Sequence, residues 1–224
     1  MIMQLQILGS GSSGNGYIIQ NDNEALVLEA GVSHKEMLPA INYRPDRVKA
    51  FLVSHMHGDH AKYLRQYQWT LFGHELGHCN ILEPYSHFTY QPFDVEHDAS
   101  NQAFLIKHPD MGSLFYLSDA AYIPAKINGL NHLLIEANYS EDILARNMEQ
   151  GIINERLAER IKENHLSIER LEHWLRLIDF SKLKSITLCH LSDKNSDAWE
   201  FYTRIWHLTG VPVHIAEPHM TVAL

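Results

Sequence analysis

Short apolar or alternating runs fill the first half of the chain, and runs with helical spacing fill most of the second. Met3 to Leu8, Tyr17 to Gln20, Glu24 to Leu28 and Val48 to Val53 have strand character and are separated by Gly, Asn, Asp and Pro. A helix is predicted from Asp59, with Ala61, Leu64 and Tyr67 on one side, followed by a strand at Trp69 to Phe72. Further strands fit Asn101 to Lys107, Ser113 to Leu117 and His132 to Glu136. The period then lengthens. Ile143 to Glu163 reads as an interrupted helix, and Ile168, Leu171, Leu175 and Ile178 recur at helical spacing behind a capping Ser167. A strand at Ser185 to Leu191, a helix capped by Ser196 and running to Leu208, a stop at Gly210 and a strand at Val211 to Ile215 complete the order. With no linker, repeat or low-complexity tract, the expectation is one domain over residues 1–224, an α+β fold whose sheets are covered by helices.

Composition narrows this. At 224 residues and 45% apolar, the chain can bury a core without disulfide or metal staples, which excludes a disordered reading. Its two cysteines, Cys79 and Cys189, form no CxxC and suit a reducing compartment. The start lacks a leader pattern and no apolar run is long enough for a bilayer, so a cytoplasmic location and no membrane partner are expected. A net charge of −9 argues against a wide basic surface tracking many phosphates, so an anionic substrate has to be met locally. The 16 histidines change the picture, because imidazole is the commonest metal ligand.

Their placement carries the chemistry. Directly after the strand Ala50-Phe51-Leu52-Val53 comes Ser54-His55-Met56-His57-Gly58-Asp59-His60, an H-x-H-x-D-H cluster. On an extended segment His55 and His57 point the same way, whereas Asp59 and His60, opening a helix, face a second point nearby. Two metal ions fit this better than one. Three further candidates end strand-like runs: His97 after Phe93 to Glu96, Asp119 after Ser113 to Ser118, and His190 after Ser185 to Cys189. If those strands run the same way, their ends converge on one rim. His55, His57 and His97 then make one site, Asp59, His60 and His190 the other, and Asp119 can bridge. His108, ending Phe104 to Lys107, is the rival to His97.

This pattern resembles the metallo-β-lactamase fold superfamily, and within it the WalJ/YycJ-type, nuclease-like branch. The matching pieces run in order along the whole chain. They are Gly9 to Asn15, Leu28-Glu29-Ala30-Gly31, Pro92 to Ala99, Tyr116 to Asp119, Ile135-Glu136-Ala137-Asn138, His165-Leu166-Ser167 and His190 to Asn195. The resemblance implies an αββα four-layer sandwich with a dinuclear site whose ligands are the seven residues above. The chain departs from the pattern at Glu29, where Asp is usual, at Tyr139-Ser140, where His-Asp is usual, and at Ile168, where Asn is usual. Glu29 would orient ligands or the Gly-rich loop.

The expected function is a dinuclear metal-dependent hydrolase, a phosphodiesterase or nuclease with Zn²⁺ or Mn²⁺. Two cations lower the pKa of a bridging water from about 15.7 towards 7, and they neutralise phosphate charge without many basic side chains. The substrate is then a nucleic-acid end, a short oligonucleotide or a cyclic nucleotide. Asp59 is taken as both ligand and catalytic residue, and His165 as the group that supplies a proton or positive charge to the leaving oxygen. Ser12 to Asn15 can offer backbone N–H groups to an anion, but a tight strand-to-strand turn explains its glycine equally well, and it is not counted in the site. A lactone or thioester hydrolase of the same fold is the alternative. A remoter one is a zinc peptidase built on His74-Glu75-Leu76-Gly77-His78, a literal H-E-x-x-H that needs a helix and leaves the hexad unexplained.

Overall fold

The computed structural model describes residues 2–75 and 80–224. The chain divides into two compact units, one of Met1–Gln91, Ile106–Gly112 and Ala216–Leu224, the other of Pro92–Leu105 and Ser113–Ile215. Its elements in chain order begin with strands β1 (Gln4–Gly9), β2 (Gly16–Gln20) and β3 (Ala25–Leu28), helix α1 (His34–Ala40), strand β4 (Val48–Leu52), helices α2 (Gly58–Ala61) and α3 (Leu64–Phe72), and the short β5 (Ile81–Leu82). Next come β6 (Thr89–Val95), β7 (Asn101–His108), β8 (Gly112–Leu117) and β9 (His132–Glu136). Helices α4 (Glu141–Glu149), α5 (Glu155–Asn164) and α6 (Ile168–Leu175), strand β10 (Ser185–Cys189), helix α7 (Ala198–Thr209) and strands β11 (Val213–Ile215) and β12 (Thr221–Ala223) follow.

The first sheet has the order β12-β1-β2-β3-β4-β5. Neighbours β1, β2 and β3 pair antiparallel, and β3 pairs parallel with β4, its crossover carrying α1. Leu5, Ile7, Ile19 and Leu26 are buried, and so are Ile18, Val27 and Phe51. Both faces are therefore covered, which is why these strands read as continuous apolar runs. Met37 of α1 and Tyr67 of α3 join this unit's core, the Tyr67 ring stacked 5.6 Å from Phe51.

The second sheet runs β11-β10-β9-β8-β7-β6. Strands β8, β9, β10 and β11 pair parallel, with Leu117 opposite Ile135, Glu136 opposite Cys189 and Leu188 opposite Ile215. Its core gathers Phe115, Leu133, Ile135, Ile186 and Leu188 with Leu171 and Trp174 of α6 and Phe201 of α7.

Two sequence expectations fail locally. Trp69 to Phe72 is the last turn of α3, not a strand: Leu64, Tyr67 and Leu71 keep helical spacing, and Gly73 closes the helix with a left-handed φ of 77°. Helix α7 is capped by Asp197, whose side chain accepts the Glu200 N–H, while the Ser196 hydroxyl donates to the Ser192 carbonyl at 2.6 Å. Ser167 does cap α6 by accepting the Arg170 N–H, and Gly210 does end α7 in left-handed conformation.

Candidate active site

In the first unit the junction between β4 and α2 carries four ligand-type side chains. The buried strand fixes where the chain emerges, His55 stays buried, and α2 opens with His57 as its N-cap and Asp59 in its first turn. The His55 ring lies 4.7 Å from that of His57 and 4.2 Å from that of His60, centroid to centroid. Polar neighbours set which nitrogen is presented. Ser54 Oγ is 2.9 Å from His55 Nδ1, which fixes the orientation of the ring. Glu29 Oε2 is 3.3 Å from His60 Nδ1, and the same carboxylate accepts the Ser54 N–H at 3.1 Å. Glu29 thus touches both His60 and the Ser54 backbone, and it holds that place with a left-handed backbone (φ 65°) just past β3.

The Gly-rich loop between β1 and β2 grips this junction by its backbone. Asn15 N–H donates to the Asp59 carbonyl at 2.7 Å, Ala30 N–H to the His60 carbonyl at 2.7 Å, and Gly31 N–H to the Asn15 carbonyl at 2.9 Å. A Cβ on Gly31 would stand 1.7 Å from the Asp59 carbonyl oxygen, so only glycine permits the approach. The side chain of Asn15 is also part of the site: Nδ2 lies 2.9 Å from His60 Nε2 and 3.4 Å from Asp59 Oδ2. From the sequence this loop offered backbone N–H groups and a turn, and the Asn15 side chain was not counted.

In the second unit the parallel register of β8, β9 and β10 brings their C-terminal ends to one edge. Asp119 lies two residues past β8, Glu136 ends β9 and His190 follows β10 directly. Asp119 and His190 both take left-handed backbone, with φ of 53° and 54°, a conformation that costs on the order of 1–3 kcal/mol and collects at functional sites. Asparagines hold both in place. Asn101 Nδ2 donates to the Asp119 carbonyl at 2.6 Å, and Asn138 Nδ2 to the His190 carbonyl at 2.9 Å. His190 Nδ1 is 3.0 Å from Asp119 Oδ1, and His97 Nε2 is 3.9 Å from Asp119 Oδ2. The loop carrying His97 is tied to the end of α5, because Asn164 Oδ1 accepts the Asp98 N–H at 3.0 Å.

Sequence reasoning did not count Glu136 among the site residues. It is fully buried, lies 2.8 Å from both His165 Nδ1 and His190 Nδ1, and accepts the Leu166 N–H at 3.0 Å. Burial opposes its charge, yet the two imidazoles hold its pKa below the usual carboxylate value. His165, the C-cap of α5, is affected in the opposite sense: burial disfavours its cation, but the Glu136 carboxylate raises its pKa above the ordinary histidine value. Asp119, Glu136, His165 and His190 each bring a ligand atom within 4.8 Å of the others. The signal for Glu136 was a carboxylate ending a fully buried strand, directly after Leu133, Leu134 and Ile135.

The remaining sequence candidates fall elsewhere. His108 belongs to the first unit, with Nε2 3.1 Å from Glu24 Oε1 and Nδ1 accepting the Asp110 N–H at 3.0 Å, so both nitrogens are engaged. Tyr139 is fully buried against Leu144, Ile153 and Ala158, and Ser140 is the N-cap residue of α4. Of the H-E-x-x-H pattern, His74 and Glu75 follow Gly73, past the end of α3, while Leu76, Gly77 and His78 lie outside the described residues. No described helix is long and apolar enough to cross a membrane. In each unit the donors are imidazoles and carboxylates, several turned by a second hydrogen bond, and this donor chemistry fits divalent metal ions.

Comparison with known proteins places the chain among related sequences and structures. The family described as "Anti-Pycsar protein Apyc1" matches residues 3–82. Exodeoxyribonuclease WalJ of Streptococcus pneumoniae is 31% identical over 225 aligned positions, covering 85% of this chain and 82% of that protein. Exodeoxyribonuclease YycJ of Bacillus anthracis is 23% identical over 226 positions, covering 88% and 85%. Among solved structures, the metallo-β-lactamase fold protein YhfI of Bacillus subtilis aligns with a TM-score of 0.75 at 14% identity, covering 100% of both chains. The fold is therefore the α+β metallo-β-lactamase sandwich expected from the sequence.

Proposed function

The chain belongs to the WalJ/YycJ family within the metallo-β-lactamase fold, and on that basis we propose that it is a metal-dependent phosphodiesterase acting on nucleic-acid ends. Two divalent ions, Zn²⁺ or Mn²⁺, are assigned to His55, His57 and His97 on one side and Asp59, His60 and His190 on the other, with Asp119 shared. The two units work in this reading as one catalytic domain, in the cytoplasm. Its main support is the convergence of Asp119, Glu136 and His190 at the ends of three parallel strands, two of them on left-handed backbone.

When bound, the ions lower the pKa of coordinated water towards neutrality and offset the charge that develops on the phosphate. The protein's own part is orientation and proton handling. Ser54 and Glu29 meet Nδ1 of His55 and of His60, and Asn15 Nδ2 meets Nε2 of His60, which fixes both rings. Glu136 does the same for His190 through its Nδ1. Fixed donors of this kind remove the reorganisation a metal site would otherwise need. His165, its side chain 22% exposed and its Nδ1 held by Glu136, keeps a proton that its other nitrogen can give to the leaving oxygen. Asp59, in the first turn of α2, is the other residue assigned a catalytic role.

The deciding experiment is a substrate panel on metal-analysed protein: bis-p-nitrophenyl phosphate and end-labelled DNA against thioester and lactone substrates, with Asp59→Ala and His165→Ala alongside. We expect phosphodiester turnover, abolished by Asp59→Ala and lowered about 10²-fold or more by His165→Ala. Turnover confined to thioesters or lactones, or full diesterase activity in Asp59→Ala, overturns the proposal.

A further inference from the structure

Within the second unit a cavity of about 440 Å³ lies against His97, its wall including Asp98, Tyr122, Lys162, Asn164 and Arg170. Tyr122 is 57% exposed, yet its ring is not loose. The Arg170 guanidinium carbon sits 4.6 Å from the ring centroid. Arg170 Nη1 in turn donates to the Ala121 and Lys162 carbonyls, each at 3.0 Å, so the cation cannot swing away from the ring. One face of the tyrosine is thus backed by a cation anchored to two backbone segments, and more than half of the side chain is open to solvent. A second, apolar groove of about 350 Å³, with Leu166, Trp174 and Leu177 in its wall, shares both Tyr122 and Arg170. Tyr122 therefore stands on the lip between a polar cavity at His97 and an apolar groove.

The charges in the polar cavity decide what suits it. Glu96, Asp98 and Glu163 oppose Lys162 and Arg170, and Asp98 Oδ2 lies 3.5 Å from Arg160 Nη2. Such a wall does not attract a run of phosphates. It suits a flat, uncharged group with a hydrogen-bonding edge, for which Lys162 is within the lining. A base over an aromatic ring is worth a large share of single-strand affinity and needs no basic surface. This accords with the net charge of −9.

We propose that Tyr122, held flat by Arg170, is the platform on which the unpaired terminal base of a nucleic-acid strand stacks beside His97. A base still in a duplex has its faces taken by its neighbours, so the platform selects single-stranded or frayed ends. The inference rests on the phosphodiesterase reading and names the substrate feature that the same site recognises.

Two measurements test it. The first uses as-purified protein and single-stranded, phosphorothioate-linked oligonucleotides carrying 2-aminopurine at either end or in the middle. Binding quenches the fluorophore at one end in the wild type and in Tyr122→Phe, and the quench is lost in Tyr122→Ala. The second compares kcat/KM on a single-stranded oligonucleotide with that on methyl p-nitrophenyl phosphate, which has no base. Tyr122→Ala lowers the ratio of the two about tenfold, and Tyr122→Phe restores it. Equal losses on both substrates, an undiminished end quench in Tyr122→Ala, or a phenylalanine variant as impaired as the alanine one overturns the platform and leaves the phosphodiesterase reading standing. A wild type that hydrolyses neither diester overturns both.

Discussion

Glu136 is enclosed: the His165 and His190 imidazoles both lie 2.8 Å from its Oε1, and the backbone N–H groups of Leu166 and Ala120 donate to its Oε2 at 3.0 and 3.3 Å. An acceptor with no proton of its own forces both histidines to turn Nδ1–H towards it, so that Nε2 lies on the far side of each ring. Glu136→Gln keeps the shape and removes that compulsion, since an amide also donates. The expected result is about a 10- to 100-fold loss of metal affinity with an unchanged far-ultraviolet circular dichroism spectrum, read by competition with a chromophoric chelator. Undiminished affinity would show that Glu136 does not orient a ligand. Gly31 poses the opposite problem, of space. Its missing Cβ is what lets Asp59 approach, so Gly31→Ala pushes the start of α2 outward at a cost of about 1–3 kcal/mol, measurable as a lower urea midpoint at unchanged slope.

Elements explain what could be read from the sequence and what could not. Strands buried on both faces announced themselves as apolar runs, and β4 with the hexad behind it placed four ligand-type residues in six consecutive positions. Asp119 and His190 were legible because each follows a strand, and the parallel order of β8 to β10 converts that into proximity. Asn15 and Glu136 were not, since they touch site residues 45 and 54 positions away and no local spacing encodes a contact of that range. Helix α3 was misread in its last turn because Trp69 to Phe72 is apolar and aromatic, whereas packing of Tyr67 on Phe51 decides the conformation. Another long-range contact has a measurable consequence. Glu24, next to β3, accepts the His87 N–H at 3.1 Å and meets His87 Nδ1 at 2.6 Å and His108 Nε2 at 3.1 Å, joining the turn before β6 to the end of β7. Burial opposes its charge, but the two histidines hold its pKa below the usual carboxylate value. The unfolded chain therefore takes up the proton first on acidification, so this stabilisation is present above the unfolded value and is lost as pH falls through the folded one. Glu24→Gln should lower Tm at neutral pH and converge on the wild type below the ordinary carboxylate range. A difference in Tm that stays constant with pH would show that the carboxylate charge is not what matters.

At the scale of the whole molecule, the net charge of −9 and the proposed ions belong to the same account. Carboxylates brought near one another repel once ionised, and a divalent ion among them offsets that repulsion. The proposed ligand set is His55, His57, Asp59, His60, His97, Asp119 and His190. An ion that binds only the folded chain stabilises it by mass action, by about 2.7 kcal/mol at a free concentration one hundred times its Kd. Treatment with a chelator should accordingly lower Tm by several degrees, and Zn²⁺ or Mn²⁺ should restore it in a concentration-dependent way. Asp119→Asn separates this from general salt effects: with the shared carboxylate gone, its Tm should respond much less to chelator and to added metal, while the apparent Tm of a distant surface variant such as Trp199→Ala keeps the full response. A wild-type Tm that ignores both chelator and metal would mean that the seven side chains are not a ligand set, whatever their spacing in the sequence.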